Sequence, residues 1–184
     1  MLDRALIEYA SPTLARLKLG SLFTVPAMPA LTGETEALNR QLSQKGLELL
    51  CLRVRDGRAL MYVYRRAMLE SALADGEVWR FLVSCGYADR NVDAVLACLR
   101  RRLVDSDGFP HEIGVFLGYP LADVIGFIEN NGRNCLCCGC WKVYANERDA
   151  RRAFARFRKC KAVYERLFES GCPLARLTVA ARPA

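Results

Sequence analysis

The sequence predicts an α+β fold in which helices cover a small, mainly antiparallel sheet. The first reason is a hairpin pattern near residues 48–65, where two β-rich runs flank Asp56-Gly57. That dipeptide favours two-residue hairpin turns, because glycine adopts positive φ at little cost. The second reason is an amphipathic pattern after Asn146, which predicts a long C-terminal helix. Strands followed by helices are typical of layered α+β folds.

The first part of the chain predicts a helix, a strand and a second helix. The first helix covers residues 2–10, and an apolar strand follows near Ser21–Val25. Thr32 is a suitable N-cap for the second helix, because its hydroxyl can accept a bond from the first turn. That helix is expected to run to about Lys45, where Gly46 ends it.

Helical periodicity dominates the middle of the chain. The predicted helices there cover Ala67–Leu73, Glu77–Cys85, Asn91–Val104, His111–Leu117 and Leu121–Glu129. A short strand is expected over residues 140–145, in CWKVYA. Asn146 and Asp149 then form a capping-box pattern at the start of the long helix, and Gly171 stops it. The segment LARLTVA, residues 174–180, predicts a last strand.

Two of these helical segments resemble each other in sequence. When Gly86 is aligned with Gly118, Tyr87 falls on Tyr119, and apolar positions match on both sides. We interpret this as two helical hairpins of similar construction, each turning at a Gly-Tyr pair. Two copies are too few for a solenoid.

Length and composition predict one domain over residues 1–184, because about half of these residues are apolar and can form a real core. The N-terminus MLDRALIEYASP lacks an apolar run with a cleavage site, so no signal peptide is predicted. No stretch reaches the roughly 18–20 apolar residues of a membrane span. Nine cysteines, an odd number, do not fit a secreted disulfide scaffold, and we expect a reducing cytoplasm.

His111, the one histidine, is followed by Glu112 and can act in acid–base chemistry or bind a metal. Neighbouring residues on a helix do not face each other, so Glu112 is not expected to orient it. The other interpretation is a helix start, with Pro110 at the first position and an acid in the first turn. The alternatives stay open at this point.

Four cysteines lie within six residues of the chain, in NCLCCGCW. Cys135, Cys137, Cys138 and Cys140 are therefore the candidate metal ligands. Structural zinc usually draws on two separated pairs of ligands, and a second pair is missing, so a redox-sensitive thiol cluster is favoured over a metal site. A cysteine such as Cys138 paired with His111 also suits a Cys–His hydrolase, with Glu112, Asn130 or Asn131 as the third member.

Net charge is +7, from 27 basic and 20 acidic residues, and the long helix carries eight of the basic ones. A basic face of this kind suits an acidic redox protein or a phosphate-bearing ligand; a solvated polar face is the other interpretation. The segment around Gly118 also has helix-turn-helix spacing, but its second helix is apolar and acidic. Base readout requires polar and basic side chains there, so nucleic acid is not the expected partner.

Four blocks of the sequence, SPTL…K…SLF, YVYR, FPHEIGVFLGYPLADVIGFIENNG and WKVY, resemble a family of uncharacterised bacterial proteins. This is domain-of-unknown-function family 3793, mostly from anaerobic Gram-positive bacteria, and the resemblance covers nearly the whole chain. Its genes often lie near flavodoxin or iron-uptake genes, which implies a link to redox or iron metabolism. The residues that the resemblance places at a pocket are His111, Glu112, Tyr119, Lys142 and Tyr144, with Tyr64 and Arg65 lining it from the sheet.

The predicted function is therefore a cytoplasmic module that binds a small molecule or another protein. The alternative is a Cys–His hydrolase or transferase that uses His111, and a further alternative is nucleic-acid binding through the basic helix. The hydrolase requires a cysteine within hydrogen-bond reach of His111. Nucleic-acid binding predicts an affinity that falls steeply with salt. The sequence identifies no cofactor.

Overall fold

The computed structural model describes residues 1–105 and 109–181. This part of the chain divides into two compact units. The first unit contains Met1–Leu69 and the chain from Cys160 onward, and the second contains Glu70–Lys159. The α+β prediction is confirmed, whereas a single domain over residues 1–184 stays a prediction.

The sheet of the first unit has three antiparallel strands in the order β1-β3-β2. They are β1 (Gly20–Pro26), β2 (Leu47–Arg55) and β3 (Arg58–Arg65). The predicted hairpin is confirmed: Asp56 and Gly57 have φ of 50° and 69°, as a type I′ turn requires. On β3, the rings of Tyr62 and Tyr64 stack with centroids 4.9 Å apart.

Helices pack on this sheet and close the core of the first unit. They are α1 (Leu2–Leu14) and α2 (Leu31–Leu42), which continues as a 3-10 turn over Ser43–Lys45. Leu174 and Leu177 of the C-terminal segment complete this core, and α3 (Arg66–Ala74) begins in the same unit. The first helix is longer than predicted because Pro12 is accommodated inside it, and the hydroxyl of Ser11 donates to the carbonyl of Ile7. Thr32 is not the N-cap of α2, since the helix already begins at Leu31. Gly46 ends the 3-10 turn at a φ of 74°, as predicted.

The second unit is built mainly from helices. Its elements are α4 (Gly76–Ser84), α5 (Val92–Asp105), α6 (Ile113–Phe116), α7 (Leu121–Glu129), β4 (Cys137–Cys138), β5 (Lys142–Val143) and the start of α8 (Glu147–Glu169). The helix predicted from His111 is only one turn long, and His111 precedes it. The strand predicted over 140–145 is reduced to the two residues of β5, which pair with an unpredicted β4.

The two predicted Gly-Tyr turns share one geometry. Gly86 and Gly118 have φ of 94° and 73°. The amide of Tyr87 donates to the carbonyl of Leu82 at 3.1 Å, and the amide of Tyr119 donates to that of Gly114 at 2.9 Å. Both turns are therefore Schellman caps, in which an amide reaches back five residues to a helical carbonyl.

The long helix α8 begins as predicted. The side-chain oxygen of Asn146 accepts from the amide of Asp149 at 3.2 Å, and its nitrogen donates to the Asp149 carboxylate at 2.6 Å. The prediction of a last strand over 174–180 is wrong, because Leu174–Leu177 forms a short helix, α9. Leu174 and Leu177 are both buried, and their spacing of three places them on one helical face. No helix in the described ranges is long and apolar enough to cross a membrane.

Candidate functional site

The candidate site is a cavity of about 400 Å³ within the second unit. Its wall is formed by Phe109, His111, Ile113, Gly114, Leu117, Tyr119, Asp123, Val124, Phe127, Cys138, Gly139, Trp141 and Lys142. Most of these side chains are apolar or aromatic, and a few polar groups lie among them. This composition is typical of sites that bind small molecules.

Two glycines allow the elements around the cavity to pack closely against each other. A Cβ on Gly114 in α6 would lie 2.7 Å from a methyl of Val124 in α7, so these helices approach more closely than an alanine would permit. A Cβ on Gly139, between β4 and β5, would lie 2.3 Å from the ring of Phe154 in α8. The turn between the two strands therefore rests directly on that ring.

Asp123 holds the segment that follows this turn. Its carboxylate is buried and accepts hydrogen bonds from three donors: Trp141 Nε1 at 2.7 Å and the amides of Tyr144 and Ala145 at 2.7 Å and 2.9 Å. A buried carboxylate is stable only when its oxygens are bonded in this way. Asp123 therefore serves to position the segment, and its charge is compensated by fixed donors.

Two pairs of aromatic rings line the cavity. Tyr119 stacks on Trp141 with centroids 5.0 Å apart, and Trp141 meets Phe154 edge-on at 4.5 Å. The hydroxyl of Tyr119 donates to the carbonyl of Cys140 at 3.1 Å, and burial raises the pKa of Tyr119 to about 12. The ring of His111, also part of the cavity wall, meets Phe127 edge-on at 4.9 Å.

Lys142 brings a positive charge to the cavity. Its ammonium group donates to the carbonyl of Gly132 at 2.6 Å and lies 5.8 Å from the centre of the Phe127 ring. An ammonium group has three donors, so this bond leaves donors that can reach an acceptor on a ligand. The ring face beneath it also favours a cation at this position.

Glu112 lies apart from the cavity wall, although it neighbours His111 in the chain. Its carboxylate is buried and pairs with Arg102 Nε at 2.5 Å, and it accepts from the hydroxyl of Tyr87 at 3.4 Å. Burial raises the pKa of Tyr87, and the charge of Glu112 raises it further. The partners that the structure gives Glu112 therefore belong to α5 and the first Gly-Tyr turn, and not to His111.

Tyr144 was also expected at the pocket, and the structure gives it a different environment. A Cβ on Gly126 would lie only 2.5 Å from the Cβ of Tyr144, so the tyrosine packs directly on α7. Its hydroxyl is buried, and among the described residues it has no hydrogen-bond partner. Burial raises the pKa of Tyr144, with a smaller contribution from Cys135.

Tyr64 and Arg65 have their partners within the first unit. The hydroxyl of Tyr64 donates to Glu48 at 2.5 Å. The buried guanidinium of Arg65 donates to the carbonyls of Thr13, Leu14, Lys45 and Val179 at 2.7–3.4 Å. These contacts link the end of α1 to the sheet and to the chain after α9.

The nine cysteines are all free thiols, and only Cys138 and Cys140 are exposed. Cys51, Cys85 and Cys98, which lie in apolar runs of the sequence, are partly buried. Among residues 1–105 and 109–181, no three side chains of the His, Cys, Asp or Glu type are grouped as a metal ion requires. Cys138 lines the same cavity as His111, and these are the two residues that the hydrolase alternative needs.

The basic residues of α8 are only partly paired. Arg151 bonds Glu147 at 2.6 Å, Arg152 bonds Asp149 at 3.5 Å, and Lys161 bonds Glu165 at 3.6 Å, all at helical spacing. Exposed pairs of this kind contribute little to stability. In α7, which was the second helix of the helix-turn-helix alternative, Asp123, Val124 and Gly126 are buried.

Comparison with known proteins identifies the family and nothing more. No curated protein and no solved structure matches the chain. A family model described as protein of unknown function (DUF3793) matches residues 6–178, which is nearly the whole chain. The chain therefore belongs to the DUF3793 family, in agreement with the resemblance of its sequence blocks.

Proposed function

We propose that this protein binds a small molecule with a flat apolar body and an anionic group in the cavity of the second unit. The observation that carries the proposal is Lys142, whose ammonium group lies at a cavity with aromatic walls. Cavities of about 300–1,000 Å³ hold small-molecule ligands, and this one has about 400 Å³.

The charges at the cavity favour an anion. Asp123 is the carboxylate of the wall, and three donors already compensate it. Lys142 is bonded to one carbonyl and therefore keeps donors for a ligand. A carboxylate or phosphate that reaches Lys142 gains a charge-assisted hydrogen bond, which is about twice as strong as a neutral one.

The aromatic walls favour a flat ligand body. Two ring pairs line the cavity: Tyr119 with Trp141, and His111 with Phe127. A planar apolar group that packs against these rings buries its surface and makes ring contacts worth about 0.5–1.5 kcal/mol beyond that burial. His111 adds a second polar group, which can donate to or accept from the ligand.

The test measures binding of 2-naphthoate and of the uncharged 2-naphthalenemethanol by the change in tryptophan fluorescence. Trp141 is part of the wall and reports binding directly. We expect the carboxylate to bind about tenfold more tightly than the alcohol, which corresponds to about 1.4 kcal/mol. Lys142→Met should remove this preference and leave the affinity for the alcohol unchanged.

The matched control is Lys159→Met, which removes an exposed lysine of α8 in the same unit. It should keep the preference for the carboxylate. Absence of binding of either probe, or an unchanged preference in Lys142→Met, would refute the proposal. Nine cysteines, an odd number, do not fit a secreted disulfide scaffold, and we propose that this activity is cytoplasmic.

A Cys–His hydrolase or transferase remains the second candidate, because His111 and Cys138 line one cavity. In such an enzyme the histidine activates the thiol, and the thiol attacks a carbonyl carbon. A thioester or activated ester of naphthoic acid should then acylate Cys138 in the wild type but not in His111→Ala. Equal acylation of both proteins would exclude this function.

A further inference from the structure

We propose that Cys138 and Cys140 form a dithiol site that exchanges with an anionic low-molecular-weight disulfide. These two residues are the exposed cysteines among the nine, and the other seven are partly buried. One glycine separates them, in the turn between β4 and β5. The exchange reaction is distinct from ligand binding in the cavity, although Cys138 and Lys142 belong to both.

The turn that carries the two thiols is held from both sides. Gly139 rests on the ring of Phe154, where a Cβ would approach to 2.3 Å. The carbonyl of Cys140 accepts from the hydroxyl of Tyr119 at 3.1 Å. Thiol–disulfide exchange requires access to the sulfur atoms. A fixed turn keeps both thiols, which are two residues apart in the chain, at the surface.

The neighbouring cysteines are less suitable. Side chains alternate along a strand, so Cys137 and Cys138 point to opposite faces of β4. Cys137 packs against the apolar cluster of Val143, Ala150 and Phe154. Cys137 is therefore less accessible to a disulfide than the exposed Cys138 and Cys140.

The charge beside the dithiol selects the substrate class. Cys138 is the cross-strand partner of Lys142, whose ammonium group lies at the same cavity. Opposite residues in an antiparallel pair lie on one face of the ladder. A disulfide that carries carboxylates is therefore attracted to Lys142 as it approaches Cys138.

The reaction follows the usual two steps of exchange. The thiolate of Cys138 attacks one sulfur of the disulfide, whose sulfur–sulfur bond breaks, and the first thiolate leaves and takes up a proton. The thiolate of Cys140 then attacks the sulfur of Cys138 in the mixed disulfide, and the second small thiol leaves. The protein loses two hydrogens and gains one disulfide, while the substrate disulfide is reduced to two thiols.

The experiment incubates the reduced protein with oxidised glutathione and maps its cysteines by mass spectrometry. We expect the wild type to form a Cys138–Cys140 disulfide and to retain no glutathione. Cys140→Ser and Cys140→Ala should each trap one glutathione on Cys138. Cys138→Ser should lose most of the reaction, and Cys135→Ser, a partly buried cysteine of the same segment, should behave as the wild type.

Two further measurements complete the test. Lys142→Met should slow the reaction with oxidised glutathione more than that with the uncharged disulfide of mercaptoethanol, and equal slowing of both would show that charge does not select the substrate. Binding of 2-naphthoate to Cys138→Ser and to Cys140→Ser is measured separately. This measurement distinguishes failure of the dithiol proposal from failure of the cavity proposal. Stable glutathione adducts on the wild type, or a disulfide that involves any other cysteine, would overturn the dithiol assignment.

Discussion

Arg65 carries a buried positive charge that backbone carbonyls stabilise. Its guanidinium is 2% exposed and donates to four carbonyls from three segments of the first unit. Two of these, from Thr13 and Leu14, lie at the C-terminal end of α1, where the helix dipole favours a cation. Burial lowers the pKa of Arg65 to about 10, which leaves it charged at neutral pH.

Arg65→Met should lower the free energy of unfolding by at least about 3 kcal/mol, because each buried carbonyl left without a donor costs about 1–3 kcal/mol. Arg65→Lys should also destabilise the protein, since an ammonium group lacks the planar fork that reaches several acceptors. Urea denaturation measures both effects. Arg55→Met, at an exposed arginine of β2, should stay within about 0.5 kcal/mol of the wild type. Similar stabilities for the Arg65 and Arg55 variants would contradict this role.

Asp75, at the start of α4, should make the stability of the protein depend on pH. Its carboxylate accepts from the amides of Val78 and Glu77, and these bonds hold its pKa below the ordinary value of 3.8. The unfolded chain therefore binds the proton more readily. The stability that Asp75 contributes is fully present above pH 3.8 and is lost as the pH falls through the lower pKa of the folded state.

Asp75→Ala should therefore be less stable than the wild type at pH 6, and the difference should close as the pH falls below 3.8. Thermal unfolding followed across this range measures the difference. Asp75→Asn is the control, because it keeps an acceptor for the cap and does not titrate. A difference between wild type and Asp75→Ala that is the same at all pH values would show that the carboxylate charge is not involved.

At the cavity, the sequence identified some residues and missed others. His111, Tyr119 and Lys142, which the resemblance singled out, all line the cavity. Asp123 and Trp141 were not singled out, although their hydrogen bond holds the wall together. Asp123 looks like an ordinary acid in the first turn of a helix, and its donors lie 18–22 residues further along the chain. Sequence periodicity carries no information about partners at that distance.

At the scale of elements, long and regular patterns were predictable and short elements were not. The hairpin from β2 to β3 follows from Asp56-Gly57, and α8 follows from its periodicity and cap. The two-residue strands β4 and β5 depend on Asp123 and Phe154, which hold them from outside the local sequence. The segment that forms α9 fits both periods, and burial of Leu174 and Leu177 decides in favour of a helix.

The turn between β4 and β5 provides a test of this packing. Gly139→Ala should destabilise the protein by about 1–3 kcal/mol, because its Cβ would overlap the ring of Phe154. In the double variant Gly139→Ala with Phe154→Leu, the two losses should be less than additive, since leucine frees part of the space. Chemical denaturation of the four proteins gives the coupling energy.

The control for this turn is Gly33→Ala in α2, where a Cβ would meet open space. This change should stabilise the protein by about 0.4–1 kcal/mol, because alanine restricts the unfolded chain. Additive losses in the double variant would mean that Gly139 and Phe154 act independently, and that the close contact does not set the cost.

At the scale of the whole molecule, the helices that link the two units bear on whether these units unfold together. Two helices supply residues to both units: α3 crosses the division after Leu69, and α8 crosses it after Lys159. When one unit unfolds, the part of each shared helix that belongs to it unfolds too, and helical hydrogen bonds are lost on both sides of the division. Unfolding of one unit should therefore destabilise the part of the helix that belongs to the other unit. We therefore expect a single cooperative transition, as the prediction of one domain requires.

Two spectroscopic signals can separate the units. Both tryptophans, Trp79 and Trp141, belong to the second unit, so their fluorescence reports only that unit. Far-ultraviolet circular dichroism reports the helices of the whole chain. We expect the two urea transitions to coincide in the wild type, because coincident transitions are the mark of two-state unfolding.

Arg65→Met makes this test decisive, because the substitution lies in the first unit and the tryptophans lie in the second. If the chain is one cooperative domain, the fluorescence midpoint must fall together with the dichroism midpoint, although no tryptophan is near the substitution in sequence. If fluorescence keeps the wild-type midpoint while part of the dichroism is lost at lower urea, the units unfold separately. The prediction of one domain over residues 1–184 would then be wrong, and the cavity of the second unit would belong to a domain that is stable without the first.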